Sequence, residues 1–196
     1  MGETMSRLIF NYAVMNSGKS LHLLQVNHNY KVNNKKTLLL KSSIDDRSKA
    51  HNTIESRLGV REEAILIYPS DNPYTIVESY ESVNVVLIDE VQFLSKEQVY
   101  QLSEIVDKLN ITVIAYGLKV DAFGNLFSGS KALLELSDKI NELKQICHCG
   151  SKATMHLRHS NDQVVRNGDI IQVGAEESYK SVCRQHWKEE FFNHKE

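Results

Sequence analysis

Leu8-Ile9-Phe10-Asn11-Tyr12-Ala13-Val14-Met15-Asn16-Ser17-Gly18-Lys19-Ser20 is the stretch on which the reading of this chain turns. An apolar strand, residues 8–12, runs into a short turn and then into residues 20–32, which have helical spacing. From position 13 the turn follows the phosphate-loop pattern G-x-x-x-x-G-K-[ST], with Ala13 standing at the first glycine. In such a loop the successive backbone N–H groups of Ala13, Val14, Met15, Asn16 and Ser17, together with a helix N-terminus, point at one anion. Gly18 permits close backbone approach, Lys19 reaches the β- and γ-phosphates, and the Ser20 hydroxyl binds Mg²⁺. The bland alternative is a plain strand-to-helix turn with an exposed Lys19. The strand before it, the helix after it and a second motif downstream all favour the phosphate loop.

That second motif is Val85-Val86-Leu87-Ile88-Asp89-Glu90. An apolar strand ending in an acid delivers a carboxylate to the carboxyl edge of a sheet, where ligands bind in open α/β folds. Asp89 fits the acid that organises Mg²⁺, through a water. Glu90 would activate water in an ATPase, or take the proton of an acceptor hydroxyl in a kinase. Two solvated acids at a strand end would be the bland reading.

Working outward, the chain has 196 residues, enough for one full domain and a small extra module. Hydrophobic residues make up 41% and charged ones 24%, ordinary for a soluble globular protein. No apolar run approaches the roughly 20 residues needed to cross a bilayer, so no membrane partner is expected. No secretory signal follows the start; Met1-Gly2 fits a loose myristoylation pattern, which a short polar leader explains as well. The formal charge of −2 weighs against general nucleic-acid binding. The three cysteines all lie between positions 147 and 183, which reads as one metal site in a reduced, cytoplasmic chain rather than a disulfide framework.

Further strands are expected at residues 37–41, 64–68, 83–88 and 111–116, each nearly continuous in aliphatic residues as in a parallel sheet buried on both faces. Residues 95–109 form the clearest helix, opened by a Ser95/Gln98 capping box and striped by Val99, Leu102, Val106 and Leu109. A short helix at 74–81 follows Pro73. Another is expected at 130–146, with Leu133, Leu136, Ile140 and Leu143 facing inward. Beyond it, 147–182 reads as short strands and polar turns ending in a charged tail. The boundary falls near residue 144, giving an ATP-binding α/β domain at 1–144 and a smaller domain at 145–196.

Taken together, several segments resemble the type II, cytosolic-class thymidine kinases over nearly the whole chain. They are Met15-Asn16-Ser17-Gly18-Lys19-Ser20, Ile44-Asp45-Asp46-Arg47, Asp89-Glu90-Val91-Gln92-Phe93-Leu94, Tyr116-Gly117-Leu118 with Asp121, Cys147-His148-Cys149-Gly150, and Tyr179-Lys180-Ser181-Val182-Cys183 followed by His186. The resemblance implies a P-loop NTPase fold, with a mostly parallel sheet flanked by helices and a small C-terminal zinc-binding lasso domain. It implies transfer of the ATP γ-phosphoryl group to the 5′-hydroxyl of thymidine, giving dTMP in nucleoside salvage for DNA synthesis. Glu90 would be the catalytic base and Arg47, supported by Asp45, would neutralise charge on the transferred group. Val91 and Gln92 would complete the nucleotide site. Met15, Phe93, Leu118 and Phe127 would line the nucleoside pocket, although a Met or Phe beside a strand end is more often plain core. A loop over about 154–177 would close on the nucleoside, with Val173, Gly174, Glu177 and Tyr179 at the base. A homotetramer and feedback inhibition by dTTP belong to the same resemblance. This chain departs from the family at Ala13, at Asp121-Ala122-Phe123, where Asp-Phe is expected, and at Ser178, where Arg is common.

Cys147-x-Cys149 and Cys183-x-x-His186 supply four ligands in two close pairs, suited to a closed, structural Zn²⁺ site. His148, His156 and His159 compete as nitrogen ligands, but His186 pairs with Cys183 at a good separation. Two rival readings compete with the kinase: a P-loop ATPase or switch whose zinc module binds a protein or nucleic acid, and a noncatalytic zinc-ribbon protein. The second does not account for Lys19, Asp89 and Glu90 together.

Overall fold

Aliphatic runs with no polar alternation need cover on both faces, and the sheet they form has it. The computed structural model describes residues 6–44, 52–161, 163–168 and 178–192. In chain order its elements are β1 (Leu8–Ala13), α1 (Lys19–Val32), β2 (Thr37–Ser42), β3 (Thr53–Glu55), β4 (Arg61–Glu63), β5 (Ile65–Ile67) and α2 (Pro73–Glu78). There follow β6 (Val85–Asp89), a 3₁₀ turn (Val91–Phe93), α3 (Lys96–Leu109), β7 (Thr112–Leu118), α4 (Ser128–Leu136) and β8 (Lys139–Glu142). The chain ends with β9 (Met155–Ser160), β10 (Gln163–Val164), β11 (Ser178–Val182) and α5 (Arg184–Phe192).

Six strands in the order β5-β2-β6-β7-β1-β8 make one sheet whose every pairing is parallel. One face, carrying Leu39, Leu87 and Ile114, packs on Leu23 and Leu24 of α1. The other, carrying Phe10, Leu40, Val86 and Ile88, packs on α2, α3 and α4 through Val77, Leu102, Ile105 and Leu133. The expected α/β fold is therefore present. Ser95 caps α3 with the reciprocal Gln98 contacts of a capping box.

Two expectations need correcting. The helix at 130–146 stops at Leu136, and residues 139–142 form β8, the sixth strand. Asp138 accepts the Leu8 N–H on its carboxylate at 2.7 Å and gives its own N–H to Leu8 O, so it pins the chain to β1. Ile140, expected inward, is 42% exposed on this edge strand. The charged tail is helical instead: α5 buries Trp187, which stacks on Phe191 at 4.8 Å.

Of the short strands expected over 147–182, residues 155–160 form the central one of an antiparallel sheet ordered β10-β9-β11, which takes the first residues of the loop expected over about 154–177. Its core gathers Val14, Cys147, Ala153, Leu157, Val182 and Trp187, so the phosphate loop itself contributes a residue. No helix among the described residues is long and apolar enough to cross a membrane.

Candidate active site and metal centre

The carboxyl ends of β1 and β6 converge on a cavity of about 630 Å³ lined by Met15, Asn16, Ser17, Gly18, Lys19, Ser20, Asp89 and Glu90. Gly18 sits at φ 81°, the left-handed region where glycine carries no Cβ penalty, and it opens α1. Ser20 Oγ donates to Asp89 Oδ2 at 2.8 Å, so the hydroxyl and carboxylate expected at Mg²⁺ already face each other. Burial first, then the neighbouring Glu90, pushes the Asp89 carboxyl up to about 6; Lys19 and the Ser20 hydroxyl oppose that rise.

Lys19 and Glu90 are both buried and meet at 3.9 Å. Glu90 adopts φ 55°, a left-handed backbone that non-glycine residues rarely take. Its carboxylate accepts from Gln92 Nε2, while Gln92 Oε1 accepts the Leu118 N–H at 3.0 Å. One amide thus orients Glu90 and fixes it to the end of β7. Behind it, Phe93 and Phe127 meet edge-to-face at 5.8 Å, and Leu118 is buried beside Gln92.

The phosphate loop is tied to the C-terminal sheet. Asn16 Nδ2 donates to Tyr179 O at 3.1 Å, Ser181 Oγ donates to Met15 O, and Gln145 Nε2 donates to Asn16 O at 2.9 Å. At the base of that sheet Cys147, Cys149, Cys183 and His186 place their ligand atoms within 4.8 Å of one another. A tetrahedral Zn²⁺ with bonds near 2.3 Å to sulfur and 2.0–2.1 Å to nitrogen needs S···S of about 3.8 Å and S···N of about 3.5 Å. Cys149 and Cys183 sulfurs lie 4.0 Å apart, and His186 Nδ1 lies 3.4 and 3.3 Å from Cys147 and Cys183. The donor set fits structural zinc. Burial works against the Cys147 thiolate, yet the Cys149 and Cys183 N–H groups and His186 bring its pKa down to about 6, which suits a metal ligand.

A family model described as Thymidine kinase matches residues 6–187. This chain belongs to the thymidine kinase family. It is 45% identical over 196 residues to a thymidine kinase of Rhodopirellula baltica, covering 98% of this chain and 92% of that one. It is 46% identical over 189 residues to the thymidine kinase of Idiomarina loihiensis, covering 94% of this chain and 97% of that protein. A Haemophilus influenzae thymidine kinase matches at 47% identity over 190 residues, with coverages of 94% and 97%. The chain is an ATP-dependent nucleoside kinase, a transferase.

Of the kinase residues expected from sequence, the structure brings together those of the phosphate loop, Asp89, Glu90, Gln92 and the four metal ligands. Val91, the first residue of the 3₁₀ turn, is wholly buried in the sheet core. Asp45, Arg47, Val173, Gly174 and Glu177 lie outside the described residues. Asp121 is buried and accepts the N–H groups of Phe123 and Asn125, so the extra residue at Ala122 folds into a tight turn. That turn sets Phe123 against Arg158 and Phe191. Of the rival histidines, His148 meets His186 with tilted rings 4.2 Å apart and lies 3.6 Å from Cys147 Sγ, His159 faces Glu190, and His156 is buried against Tyr179.

Sequence reasoning missed the hairpin of β3 and β4. Its residues Thr53, Ser56, Arg57 and Gly59 line the phosphate cavity, as does the buried Lys41. Lysine after the Leu38-Leu39-Leu40 run of a buried strand was the available signal.

Proposed function

We propose that this chain transfers the γ-phosphoryl group of ATP to the 5′-hydroxyl of thymidine, with Glu90 taking the hydroxyl proton and Lys19 holding the β- and γ-phosphates. The single observation that carries the reading is the buried Lys19–Glu90 pair beside Ser20 and Asp89 in one cavity. Asp89 and Ser20 would hold Mg²⁺, which would supply positive charge against the phosphates. Gln92 keeps the Glu90 carboxylate aimed by donating to it. Arg47 would face the charge that builds on the transferred group. The thymine ring would lie against Met15, Phe93, Leu118 and Phe127, with Val173, Gly174, Glu177 and Tyr179 closing over it.

Zinc at Cys147, Cys149, Cys183 and His186 would hold the C-terminal sheet on which the phosphate loop rests. The family resemblance also supports a cytoplasmic homotetramer with dTTP as feedback inhibitor, and a unit at 145–196 distinct from the ATP-binding part.

Glu90→Gln tests the assignment. ATP and thymidine should still bind by isothermal titration, while kcat falls by roughly 10²–10⁴-fold, the usual contribution of a positioned base. An unchanged kcat would give Glu90 a structural role only.

A further inference from the structure

Two carbonyls of the phosphate loop are held from outside it: Ser181 Oγ, on β11, donates to Met15 O, and Gln145 Nε2 donates to Asn16 O at 2.9 Å. Both donors are themselves fixed. Ser181 pairs with His156 in the β9–β11 register. The Gln145 amide accepts the Ile146 N–H on its oxygen at 2.9 Å, which leaves its nitrogen for Asn16. Each donor stands two residues before one of the clustered cysteines, Cys147 or Cys183.

The C=O and N–H of a trans peptide point in opposite directions, and the described residues contain no cis peptide. A donor on Met15 O therefore turns the Asn16 N–H away from β11. A donor on Asn16 O likewise turns the Ser17 N–H away from Gln145. Among the described residues neither N–H has an acceptor, and Met15 to Ser20 line the cavity. Asn16 at φ 62° and Gly18 at φ 81° alternate with their neighbours in the backbone form that converges successive N–H groups on one anion. Glycine takes that form at no steric cost, whereas for Asn16 it carries a cost that outside contacts offset.

We propose that Ser181 and Gln145 are positioning residues for phosphate binding, holding two peptide planes so that the Asn16 and Ser17 N–H groups face the triphosphate. The proposal deepens the reading of this loop as the ATP site and rests on it. Lys19 and Ser20 present side chains from α1, but Asn16 and Ser17 act through planes that can rotate. A hydrogen bond to a charged phosphate is strong and directional, so a rotated plane loses much of it.

Substitutions in the full chain separate the hydroxyl from the shape around it. Val and Thr have the same outline, and only Thr keeps a donor for Met15 O. Ser181→Val should raise KM for ATP by about 10-fold, the low end for a hydrogen bond to a charged group. Binding of inorganic tripolyphosphate, measured by titration calorimetry, should weaken by the same factor. Ser181→Thr should restore both. Gln145→Met keeps the length, loses the donor and should act like Ser181→Val. KM for thymidine should stay within about 2-fold in every variant. Unchanged tripolyphosphate affinity in folded Ser181→Val and Gln145→Met would overturn the proposal. Equal weakening by Thr and Val would do the same, since packing rather than the hydroxyl would then matter. So would a parallel rise in both KM values with a lower melting temperature. The underlying reading is checked separately in unmodified protein: if tripolyphosphate does not compete with ATP there, the phosphate-loop reading falls and this proposal with it.

Discussion

The parallel sheet and the C-terminal sheet solve the same problem with different means. The first is covered on both faces by helices, and its strands β6 and β7 are buried almost throughout. Its stability comes from apolar area removed from water. The second has three short strands, one covering helix and a six-residue buried cluster, in which Val14 is borrowed from the phosphate loop and Cys147 is a candidate metal ligand. So small a core needs a staple. The contrast explains how function is divided: the parallel sheet carries Asp89 and Glu90, and the C-terminal sheet steadies the loop that carries Lys19.

The strongest way to break the comparison is to remove the staple. A structural zinc site contributes on the order of 10 kcal/mol to folding in small domains. Cys183→Ser, or chelation of the protein, should therefore unfold β9 and β11 while the parallel sheet persists. Hydrogen exchange would show lost protection at 155–160 and retained protection at 85–89. Activity should fall with it, because Asn16, Met15 and Gln145 tie the phosphate loop to this region. Full protection and activity in metal-free protein would contradict the account.

Lys19→Ala makes the complementary cut. It should lower kcat by about 10³-fold or more by removing the cation on the β/γ-phosphates, yet leave one zinc per chain by elemental analysis. Near-native turnover would sink the phosphate-loop assignment.

These two regions were also unequally legible. Strands β1, β2, β6 and β7 and the capping box of α3 declared themselves, because period and composition agree with burial there. The phosphate loop and the Asp89-Glu90 pair are local in sequence, and so were visible. Strand β8 was hidden: Leu133, Leu136, Ile140 and Leu143 keep helical spacing straight through Asp138, while the chain past Leu136 instead pairs with the distant β1. Helix α5 was hidden by its charges, since only Trp187 is buried. Lys41 stood out as a lysine in an aliphatic strand, but its place at the cavity depends on which strand lies beside it. The metal ligands were readable as residue types, but their meeting required β9 and β11 to pair across the intervening chain.

A smaller effect is expected where α4 crosses the 3₁₀ turn. A Cβ on Gly129 would lie 2.3 Å from Val91 O and 2.8 Å from Leu94 O, both backbone atoms that cannot swing aside. Gly129→Ala should cost about 1–3 kcal/mol of stability, the usual range for overpacking. The turn it displaces also carries Gln92, so kcat should drop more than KM for ATP. Equal stability in urea titration would mean that the turn yields without consequence.

The smallest net effect concerns pH, and it sets one buried group from each region against the other. In the parallel sheet, burial and Glu90 raise Asp89 to about 6. In the C-terminal sheet, burial and then Lys19 lower His156 to about 4, and among the described residues its Nδ1 has no hydrogen-bond partner. Between pH 4 and 6 the folded Asp89 keeps a proton that the unfolded chain has lost, so its contribution makes stability fall as pH rises. Over pH 4 to 6.5 the unfolded chain binds a proton that folded His156 refuses, so its contribution makes stability rise. Each shift corresponds to about 3 kcal/mol, and where the windows overlap the two nearly cancel. Removing one should unmask the other. Urea unfolding of Asp89→Asn should gain stability with pH relative to wild type across that window, and His156→Leu should lose it. Parallel curves for all three proteins would show that neither group is perturbed, and the burial contrast between the two sheets would then have no electrostatic consequence.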